Sequence, residues 1–384
     1  MTLIRGTTLL TYCKKMRTFW MWTCLSVGLS TALCLPSVAA PPFEIGVVGL
    51  VHGHVAGFFN SALKRQDIHI AGIAEPDRSL FDKYAARYHL DPALYFPSLA
   101  DMLSKAHPPA VVVYTNTFDH RKVVEECARH GVHVMMEKPL AVSYRDALAM
   151  ADAARTGKIH VLVNYETTWY SSNKAAYDLL QKGSLGDLRK VVVHDGHSGP
   201  QEIGVQPEFF HWLTDPKLNG AGALFDFGCY GADLTIWLAN GQPPETVTAV
   251  TQQFKPGIYP RVDDEANVIL AYPKAVAILQ ASWNWPFDRK DMEVYGRTGY
   301  AKTIRRDKVD VRLKGERDAQ ITSPAPLQPP YDDSLHYFAA VIAGELKDEH
   351  NLSSLDTNVL VTEILDAARR SAKEGRTIRL PLND

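Results

Sequence analysis

Between residues 44 and 164, short apolar segments alternate with amphipathic segments. The apolar segments are rich in β-branched residues and apolar on both faces, as strands are when helices cover both sides of a sheet. The segments between them carry a single apolar stripe, as Val123, Val124 and Cys127 do before Gly131 ends the predicted helix. This repeated order predicts an α/β fold with a parallel, doubly wound sheet of the Rossmann type.

The pattern changes after Tyr165. The apolar segments that follow often alternate with polar residues and are joined by short turns, which predicts an antiparallel sheet with one face on a core. Two helical patterns accompany them, "LFDFGCYGADLTIWLA" and "TNVLVTEILDAARRSAKEG", and the proline-rich residues 322–331 indicate an extended connection. We therefore expect a Rossmann domain at residues 40–164 and an α+β domain with a large, mainly antiparallel sheet at residues 165–384.

The N-terminal residues have the features of a secretory signal peptide. Lys14, Lys15 and Arg17 precede an apolar stretch of signal length, and Ser37 and Ala39 are the small residues expected before a cleavage site. Residues 1–39 are therefore predicted to direct export to the periplasm or the exterior. An uncleaved membrane anchor is the alternative.

The amino-acid composition limits which classes of function the chain can have. The chain is 46% hydrophobic and 22% charged, as soluble globular proteins are. Its net charge is −2 and it has no basic block, so we expect no nucleic-acid partner. Once a signal is removed, Cys127 and Cys229 remain, too few for a disulfide framework or a cysteine-based metal cluster.

Three glycines lie where the first predicted strand gives way to a helix. Gly49, Gly53 and Gly57 are spaced four apart in "GVVGLVHGHVAG". The usual dinucleotide fingerprint is G-x-G-x-x-G, and Val51 and His54 occupy the second and third glycine positions. The segment is either a phosphate-binding turn at a helix N-terminus or only a tight strand–helix turn.

The second predicted strand favours the dinucleotide interpretation. Glu75 ends that strand, about where an acidic residue binds the adenosine ribose hydroxyls. A carboxylate there repels a 2′-phosphate, so we expect NAD, although the nearby Arg78 leaves room for NADP. His52 and His54 could cap the helix or donate to phosphate. Two histidines are too few ligands for zinc, so we predict no metal site.

Two further motifs resemble signatures of the Gfo/Idh/MocA family, which is named for glucose–fructose oxidoreductase, inositol dehydrogenase and a rhizopine catabolism protein. Glu137-Lys138-Pro139 resembles the E-K-P motif of the family. The stretch "GAGALFDFGCYGAD" is similar to G-G-G-x-L-x-D-x-G-x-H-x-x-D, with Ala221 in place of one glycine and Tyr230 in place of the commoner histidine. The positions that match are Gly220, Gly222, Leu224, Asp226, Gly228 and Asp233.

The resemblance covers nearly the whole mature chain and implies an NAD(P)-dependent oxidoreductase. Such an enzyme transfers a hydride between a nicotinamide and a sugar, a polyol or a related carbohydrate. The α+β domain would then bind substrate and form a homodimer or homotetramer. Two alternatives stay open: an NAD-dependent glycoside hydrolase of the same fold, and a non-catalytic binding protein for dinucleotide or sugar.

The resemblance also implies roles for three residues. Lys138 would hydrogen-bond the reacting hydroxyl, Tyr230 would exchange its proton, and Asp226 would support Tyr230 or bind substrate. Asp226 and Tyr230 are four apart, so one helix would place them on one face. A nearby lysine charge would stabilise the phenolate of Tyr230. The alternative for Tyr230 is a core aromatic residue hydrogen-bonded to Asp226.

The remaining candidates flank the predicted crevice. Thr115, Asn116 and His120 follow the third long strand, where family members hold the nicotinamide. The predicted cofactor-binding residues are Gly49, Val51, His52, Gly53, His54, Glu75, Thr115, Asn116, His120, Glu137 and Lys138. The predicted substrate-binding residues are Tyr165, Trp169, His197 and His211, of which Trp169 could stack on a sugar ring.

Overall fold

A computed structural model describes residues 41–382 of the 384-residue chain, so the predicted signal peptide lies outside the described residues. The described chain contains two sheets. The first is formed by β1 (Phe43–Val48), β2 (Ile68–Ala74), β3 (Tyr95–Phe96), β4 (Ala110–Val113), β5 (His133–Glu137) and β6 (Val161–Asn164).

All neighbours in the first sheet are parallel, in the order β3-β2-β1-β4-β5-β6. The strand order reverses between β1 and β4, which is the ligand-binding crevice of a doubly wound sheet. The prediction of a parallel Rossmann sheet is therefore confirmed. The two-residue strand β3 was not foreseen, because it is too short to show a periodic pattern.

Helices connect the strands of this sheet. They are α1 (Val55–Ala62), α2 (Arg78–Tyr88), α3 (Leu99–Lys105), α4 (His120–His130) and α5 (Tyr144–Gly157). Asp77, Ser98 and Ser143 begin α2, α3 and α5 by accepting backbone N–H groups of the first turn. Gly131 ends α4 in the left-handed conformation, as predicted.

The second sheet has nine strands. They are β7 (Leu188–Gly196), β8 (Thr246–Gln252), β9 (Glu265–Ala271), β10 (Val276–Ser282), β11 (Arg289–Gly296), β12 (Gly299–Arg305), β13 (Lys308–Leu313), β14 (Gln320–Thr322) and β15 (Ile378–Arg379). Their order is β14-β13-β12-β11-β7-β10-β9-β8-β15. The pair β7–β10 is parallel and the other neighbours are antiparallel, so the prediction of a mainly antiparallel sheet is confirmed.

Seven helices accompany the second half of the described chain. They are α6 (Ser171–Gln181), α7 (Pro207–Leu213), α8 (Pro216–Asn219), α9 (Ala223–Asp226), α10 (Gly228–Leu238), α11 (Ser334–Ile342) and α12 (Leu355–Glu374). Among these helices, α10 and α12 pack on the sheet and bury alternate residues of its strands.

The helix predicted from "LFDFGCYGADLTIWLA" is in fact two helices, interrupted at Phe227. The carbonyl of Asp226 accepts the Lys138 ammonium at 2.9 Å, and the Tyr230 N–H bonds to the carbonyl of Phe227 instead. A side chain from the first sheet thus takes the place of a helical hydrogen bond at this point.

Helix α11 returns to the first sheet. Leu335, Phe338 and Val341 pack in one apolar cluster with Ile45 and Val47 of β1. The division of the chain at residue 164 therefore does not hold for α11. Apart from Thr322, which ends β14, the proline-rich segment before it forms no regular secondary structure, in agreement with an extended connection.

Two further observations concern the described residues alone. Cys127 and Cys229 are buried free thiols. Among residues 41–382, every helix is too short or too polar to cross a lipid bilayer.

Candidate active site

A buried ion pair joins the two halves of the chain. Lys138 follows the last residue of β5, and its ammonium lies 2.5 Å from Asp226 Oδ1 at the end of α9. The other carboxylate oxygen, Oδ2, accepts the Trp283 indole N–H at 2.9 Å. Both charged side chains are only 5% exposed, so the pair is largely removed from water.

The ion pair keeps both residues charged. Burial by itself would lower the pKa of Lys138, but the Asp226 carboxylate outweighs burial and the pKa is raised. Burial would likewise raise the pKa of Asp226, and the Lys138 charge instead holds it below its usual value. Lys138 is therefore a charged hydrogen-bond donor at neutral pH.

Tyr230 lies beside this pair but does not ionise readily. The ammonium groups of Lys138 and Lys290 lie 5.2 and 5.3 Å from the centre of its ring. Burial raises the pKa of the Tyr230 hydroxyl well above its usual value, and nearby carboxylates act in the same direction. Burial thus opposes the predicted stabilisation of a phenolate and favours a neutral hydroxyl, and proton exchange by Tyr230 stays a prediction.

Asp226 does not support Tyr230 in the predicted way. Within residues 41–382 its side chain is paired with Lys138 and Trp283 rather than with the tyrosine hydroxyl. The interpretation of Tyr230 as a core residue bonded to Asp226 fails for the same reason. Tyr230 instead packs edge-on against Tyr165 and lines a cleft.

That cleft has a volume of about 630 Å³, within the usual range for a small-molecule site. Lys138, Asp226 and Tyr230 lie on its wall, together with Gly53 of the glycine turn. A second cleft of about 460 Å³ adjoins it along α1 and α11. The residues shared by both clefts are Gly53, His54, Glu166 and Arg306.

The glycine turn brings the first sheet to this cleft. Gly49 has a positive φ of 78°, and a Cβ there would lie 2.6 Å from Thr115 Cγ2, so the first glycine is needed for the turn and for packing against the next loop. Within the described residues, the backbone N–H groups of Val51 and Gly53 donate to no protein acceptor. They remain available to an anion at the start of α1.

Helix α7 covers one side of this turn, which the sequence did not suggest. Trp212 Nε1 donates to the carbonyl of Val51 at 3.2 Å, and the ring of Phe209 lies 4.7 Å from that of His52. A Cβ on Gly53 would lie 2.8 Å from the Gln206 side chain. The second glycine of the spacing thus permits close contact with α7.

Glu75 is placed differently from the prediction. Its Oε2 accepts the Leu50 N–H at 2.8 Å, its Oε1 accepts the Asp77 N–H at 2.9 Å, and the side chain is buried. Burial raises the pKa of Glu75, partly opposed by these two backbone N–H groups. The carboxylate holds the glycine turn against the second strand, and its contact with a ribose stays a prediction.

His52, His54 and Glu137 gather next to the turn. His54 Nδ1 lies 3.0 Å from Glu137 Oε2, and His52 Nδ1 accepts the His54 N–H. The potential ligand atoms of these three residues lie within 4.8 Å of one another. Burial lowers the pKa of His52 well below its usual value, and the charges of His54 and Lys138 add to this effect, so a further cation is disfavoured here. The absence of a metal site stays a prediction.

The residues after β4 position the Lys138 loop and part of the crevice. His120 is buried, and its Nδ1–H bonds to the carbonyls of Pro139 and Leu140. Asn116 accepts the Asp119 N–H and donates to the Asp119 carboxylate, so it caps a short turn. His120 and Asn116 thus have supporting roles in this structure, and Thr115 lines a cavity.

That cavity, of about 340 Å³, lies at the carboxyl ends of β1, β2 and β4. Its lining includes Gly49, Ala74, Pro76, Thr115 and Lys122. It lies on the side of the glycine turn where a dinucleotide bound to a doubly wound sheet carries its adenosine. With the free N–H groups of the turn and the cleft at Lys138, the described residues offer room for both ends of NAD.

The predicted substrate residues divide into two groups. His197 lines the cleft, with its Nδ1 accepting the Gly199 N–H, and Trp169 lines the adjoining cleft. Tyr165 is buried and bonds to Asn358, and His211 is exposed on α7 away from the lining of both clefts. These last two predictions are wrong.

Other residues of the cleft were missed. Lys290 forms an ion pair with Glu166, and Glu166 also accepts the Tyr170 hydroxyl at 2.6 Å. Arg305 and Arg306 complete this wall. They lie on a hairpin of the second sheet, and no local motif marks such positions as part of a site.

Comparison with known proteins agrees with this architecture. Residues 43–165 match a family model described as an oxidoreductase family with an NAD-binding Rossmann fold. Residues 173–302 match a model described as the GFO/IDH/MocA C-terminal domain. A curated relative is trans-1,2-dihydrobenzene-1,2-diol dehydrogenase of Sus scrofa, 25% identical over 227 residues. The match covers 58% of this chain and 63% of that relative, less than two thirds of its length.

Solved structures share the fold over most of the chain. The aldose-aldose oxidoreductase of Caulobacter crescentus, complexed with glycerol, has a TM-score of 0.74 and 22% identity, covering 88% of this chain and all of that one. An inositol dehydrogenase homologue of Azotobacter vinelandii, complexed with NAD⁺, has a TM-score of 0.74 and 19% identity, covering 88% of this chain and 98% of that one. At these identities the likeness shows the fold.

Proposed function

The chain belongs to the Gfo/Idh/MocA family of NAD-binding oxidoreductases, and we propose that it transfers a hydride between NAD and a CH–OH carbon of a sugar, a polyol or a related carbohydrate. The observation that carries this proposal is the buried Lys138–Asp226 pair in a cleft that also contains the glycine turn. Names of similar proteins support the substrate class, since they act on or bind diols, aldoses and inositol.

Lys138 and Asp226 act as a unit. The ammonium is held by two Asp226 oxygens, at 2.5 and 2.9 Å, and donates its remaining N–H toward the cleft. A substrate oxygen placed there receives a charge-assisted hydrogen bond, which stabilises the negative charge that develops when an alcohol loses its proton. Asp226 is thus a positioning residue that keeps the ammonium charged and aimed.

Tyr230 and His197 supply neutral donors on the same cleft. The raised pKa of Tyr230 keeps its phenolic proton in place, so during oxidation its hydroxyl accepts the substrate hydroxyl proton while it passes its own proton to water in the cleft. Because His197 Nδ1 accepts the Gly199 N–H, the neutral ring carries its proton on Nε2. Burial lowers the pKa of His197, which favours that neutral form.

The glycine turn is suited to hold the cofactor. The N–H groups of Val51 and Gly53 would bind the pyrophosphate, and the cavity beside Thr115 would take the adenosine. When bound, NAD supplies the hydride acceptor at its nicotinamide ring. Helix α7 excludes water from one side of the turn through Phe209 and Trp212.

The experiment is a turnover screen with the purified protein. NAD or NADP is added with a panel of aldoses, polyols and inositols, and the formation of reduced nicotinamide is followed by absorbance. We expect turnover with NAD for at least one member, loss in Lys138→Met, and full retention in Lys174→Met, a control lysine exposed on α6. Release of an aglycone without net reduction would instead identify a glycoside hydrolase.

We also propose that the chain is exported and acts as a homo-oligomer. The basic, apolar and small residues at 14–39 support export. The outer face of the second sheet supports association, since Val250 and Ile269 are exposed there on adjacent strands. The mass of the N-terminal peptide from native cells, and light scattering of the mature protein, test the two statements. An intact N-terminus in the cytoplasm, or a monomer at micromolar concentration, would contradict them.

A further inference from the structure

The β12–β13 hairpin forms part of the cleft wall and is anchored there. Arg305 is the last residue of β12 and Arg306 begins the turn, and both residues line the cleft. The carbonyl of Arg306 accepts the Ser172 N–H at 3.0 Å, at the start of α6, which has no side-chain cap. The two guanidinium groups are therefore carried by a hairpin that is fixed to a helix end.

Positive charge exceeds negative charge on this wall. Lys290 is paired with Glu166, whereas neither Arg305 nor Arg306 has a carboxylate partner within ion-pair distance among residues 41–382. The guanidinium of Arg306 lies over the Tyr170 ring, 5.0 Å from its centre, which orients it beside the cleft. Asp288 also lines the cleft, and its charge acts on His197.

The groups around the Glu166 carboxyl keep it ionised. Burial would raise the pKa of this carboxyl, yet Lys290, the Tyr170 hydroxyl and the Arg306 charge lower it to about 2. Glu166 is therefore ionised and neutralises Lys290, which leaves the two arginines as the unpaired positive charges of this wall in the described part of the chain. Since the whole chain has a net charge of −2, the excess of positive charge is a local property of the cleft.

We propose that the substrate is an anionic carbohydrate, a sugar acid or sugar phosphate whose charged group binds Arg305 and Arg306 while its reacting hydroxyl faces Lys138. This inference rests on the proposed function and specifies the substrate of that same site. Guanidinium groups bind carboxylate and phosphate oxygens through paired, planar hydrogen bonds. Across the cleft, Ile203 and Phe209 offer apolar surface to the C–H face of a sugar ring.

The test compares matched substrates with the NAD-loaded full chain. D-Glucose, D-glucuronate and D-glucose 6-phosphate differ at one carbon and separate a neutral group, a carboxylate and a phosphate. We expect kcat/KM to be higher for one of the two anions than for glucose. In the Arg305→Gln/Arg306→Gln double variant, the ratio of kcat/KM for that anion to kcat/KM for glucose falls about 10- to 100-fold, mainly through KM.

Lys308→Gln is the control for each arginine, because the variant removes one positive charge from the same hairpin at a residue that does not line the cleft. In this control variant, the ratio of kcat/KM for the anion to kcat/KM for glucose should stay within about a factor of two of the native value. Equal turnover of glucose and both anions, or equal effects of the double variant on all three, overturns the inference and leaves the proposed function standing.

A binding measurement distinguishes failure of the anionic-substrate inference from failure of the proposed function. Isothermal titration of the NAD-loaded protein with glucuronate and with glucose reports anion preference without turnover. Preferential anion binding that weakens with the double variant supports the inference. Equal binding of both sugars contradicts it. Absence of reduced nicotinamide with every panel member contradicts the proposed function, whatever the titration gives.

Discussion

The Lys138 ammonium lies 2.5 Å from Asp226 Oδ1 and 2.9 Å from the Asp226 carbonyl, although the two residues are 88 positions apart. Lys138 directly follows a strand of the parallel sheet, and Asp226 ends a short helix packed on the other sheet. One pair therefore links the two sheets, interrupts the helix after Asp226 and provides the charged donor of the cleft.

Removing Lys138 should cost both stability and activity. Lys138→Met leaves the Asp226 carboxylate buried without its counter-charge, so we expect a loss of about 3–5 kcal/mol in unfolding free energy. We expect kcat/KM to fall by roughly 100-fold or more. Denaturant unfolding and steady-state kinetics measure the two effects.

The double variant Lys138→Met/Asp226→Asn separates those effects. It removes both charges and keeps an acceptor for Trp283, so much of the lost stability should return while activity does not. If the double variant recovers turnover, the ammonium is not the group that contacts the reacting oxygen.

Tyr230→Phe tests the state of the phenol. Burial raises the pKa of Tyr230 well above its usual value, so its hydroxyl stays protonated throughout the working pH range. The variant should lower kcat by roughly 10- to 100-fold and leave the shape of the pH–rate profile unchanged. An alkaline limb that is present in the native enzyme and lost in Tyr230→Phe would show that the phenolate takes part.

The loss of folding stability at acid pH should depend on His120. Burial lowers the pKa of His120 to about 4 from 6.5, while its bonds to Pro139 and Leu140 oppose this. Between these values the unfolded chain binds a proton that the folded chain does not, so stability falls as pH falls from 6.5 to about 4. Below about pH 4 this group makes the folded protein less stable by about 3 kcal/mol than it is above pH 6.5.

His120→Asn keeps a donor for the two carbonyls and removes the ionisation. Its unfolding free energy should depend less steeply on pH between 4 and 6.5 than that of the native protein. His69→Asn, at an exposed histidine of β2, is the control and should keep the native slope. An unaltered slope in His120→Asn would contradict the assignment.

Glu75→Gln tests whether this side chain selects the cofactor. The amide retains one acceptor but turns an NH₂ group toward a backbone N–H, so the glycine turn loses about 1–3 kcal/mol of support. Affinities for NAD and NADP, measured by titration, should weaken by similar factors. A gain in NADP affinity alongside a loss for NAD would mean that the carboxylate does face the ribose.

The two sheets and the residues at the centre of the site could be predicted from the sequence. Contacts between segments that are distant in the sequence could not. Period-two and β-branched patterns are local, so β1, β4 and β5 were predicted from their own residues. Lys138 and Asp226 were found because each lies in a contiguous motif. The contact of Glu75 with Leu50 depends on how two strands pack, which no spacing reveals.

The same limit applies to helix α7, which covers the glycine turn, and to the two arginines that line the cleft. Trp212 reaches the carbonyl of Val51 from a helix more than a hundred residues away in sequence. Arg305 and Arg306 lie at the end of β12 and the start of an ordinary hairpin turn, where charged residues are common on solvated surfaces. Only the tertiary fold places these side chains on the cleft.

The most direct test of hydride transfer at this cleft uses an isotope. The turnover screen identifies a substrate, which is then supplied with deuterium on its carbinol carbons, and the reduced nicotinamide is examined by mass spectrometry. We expect NADH that is one mass unit heavier with the native protein, and no NADH with Lys138→Met/Asp226→Asn. Substrate conversion that leaves NADH without deuterium would contradict this expectation.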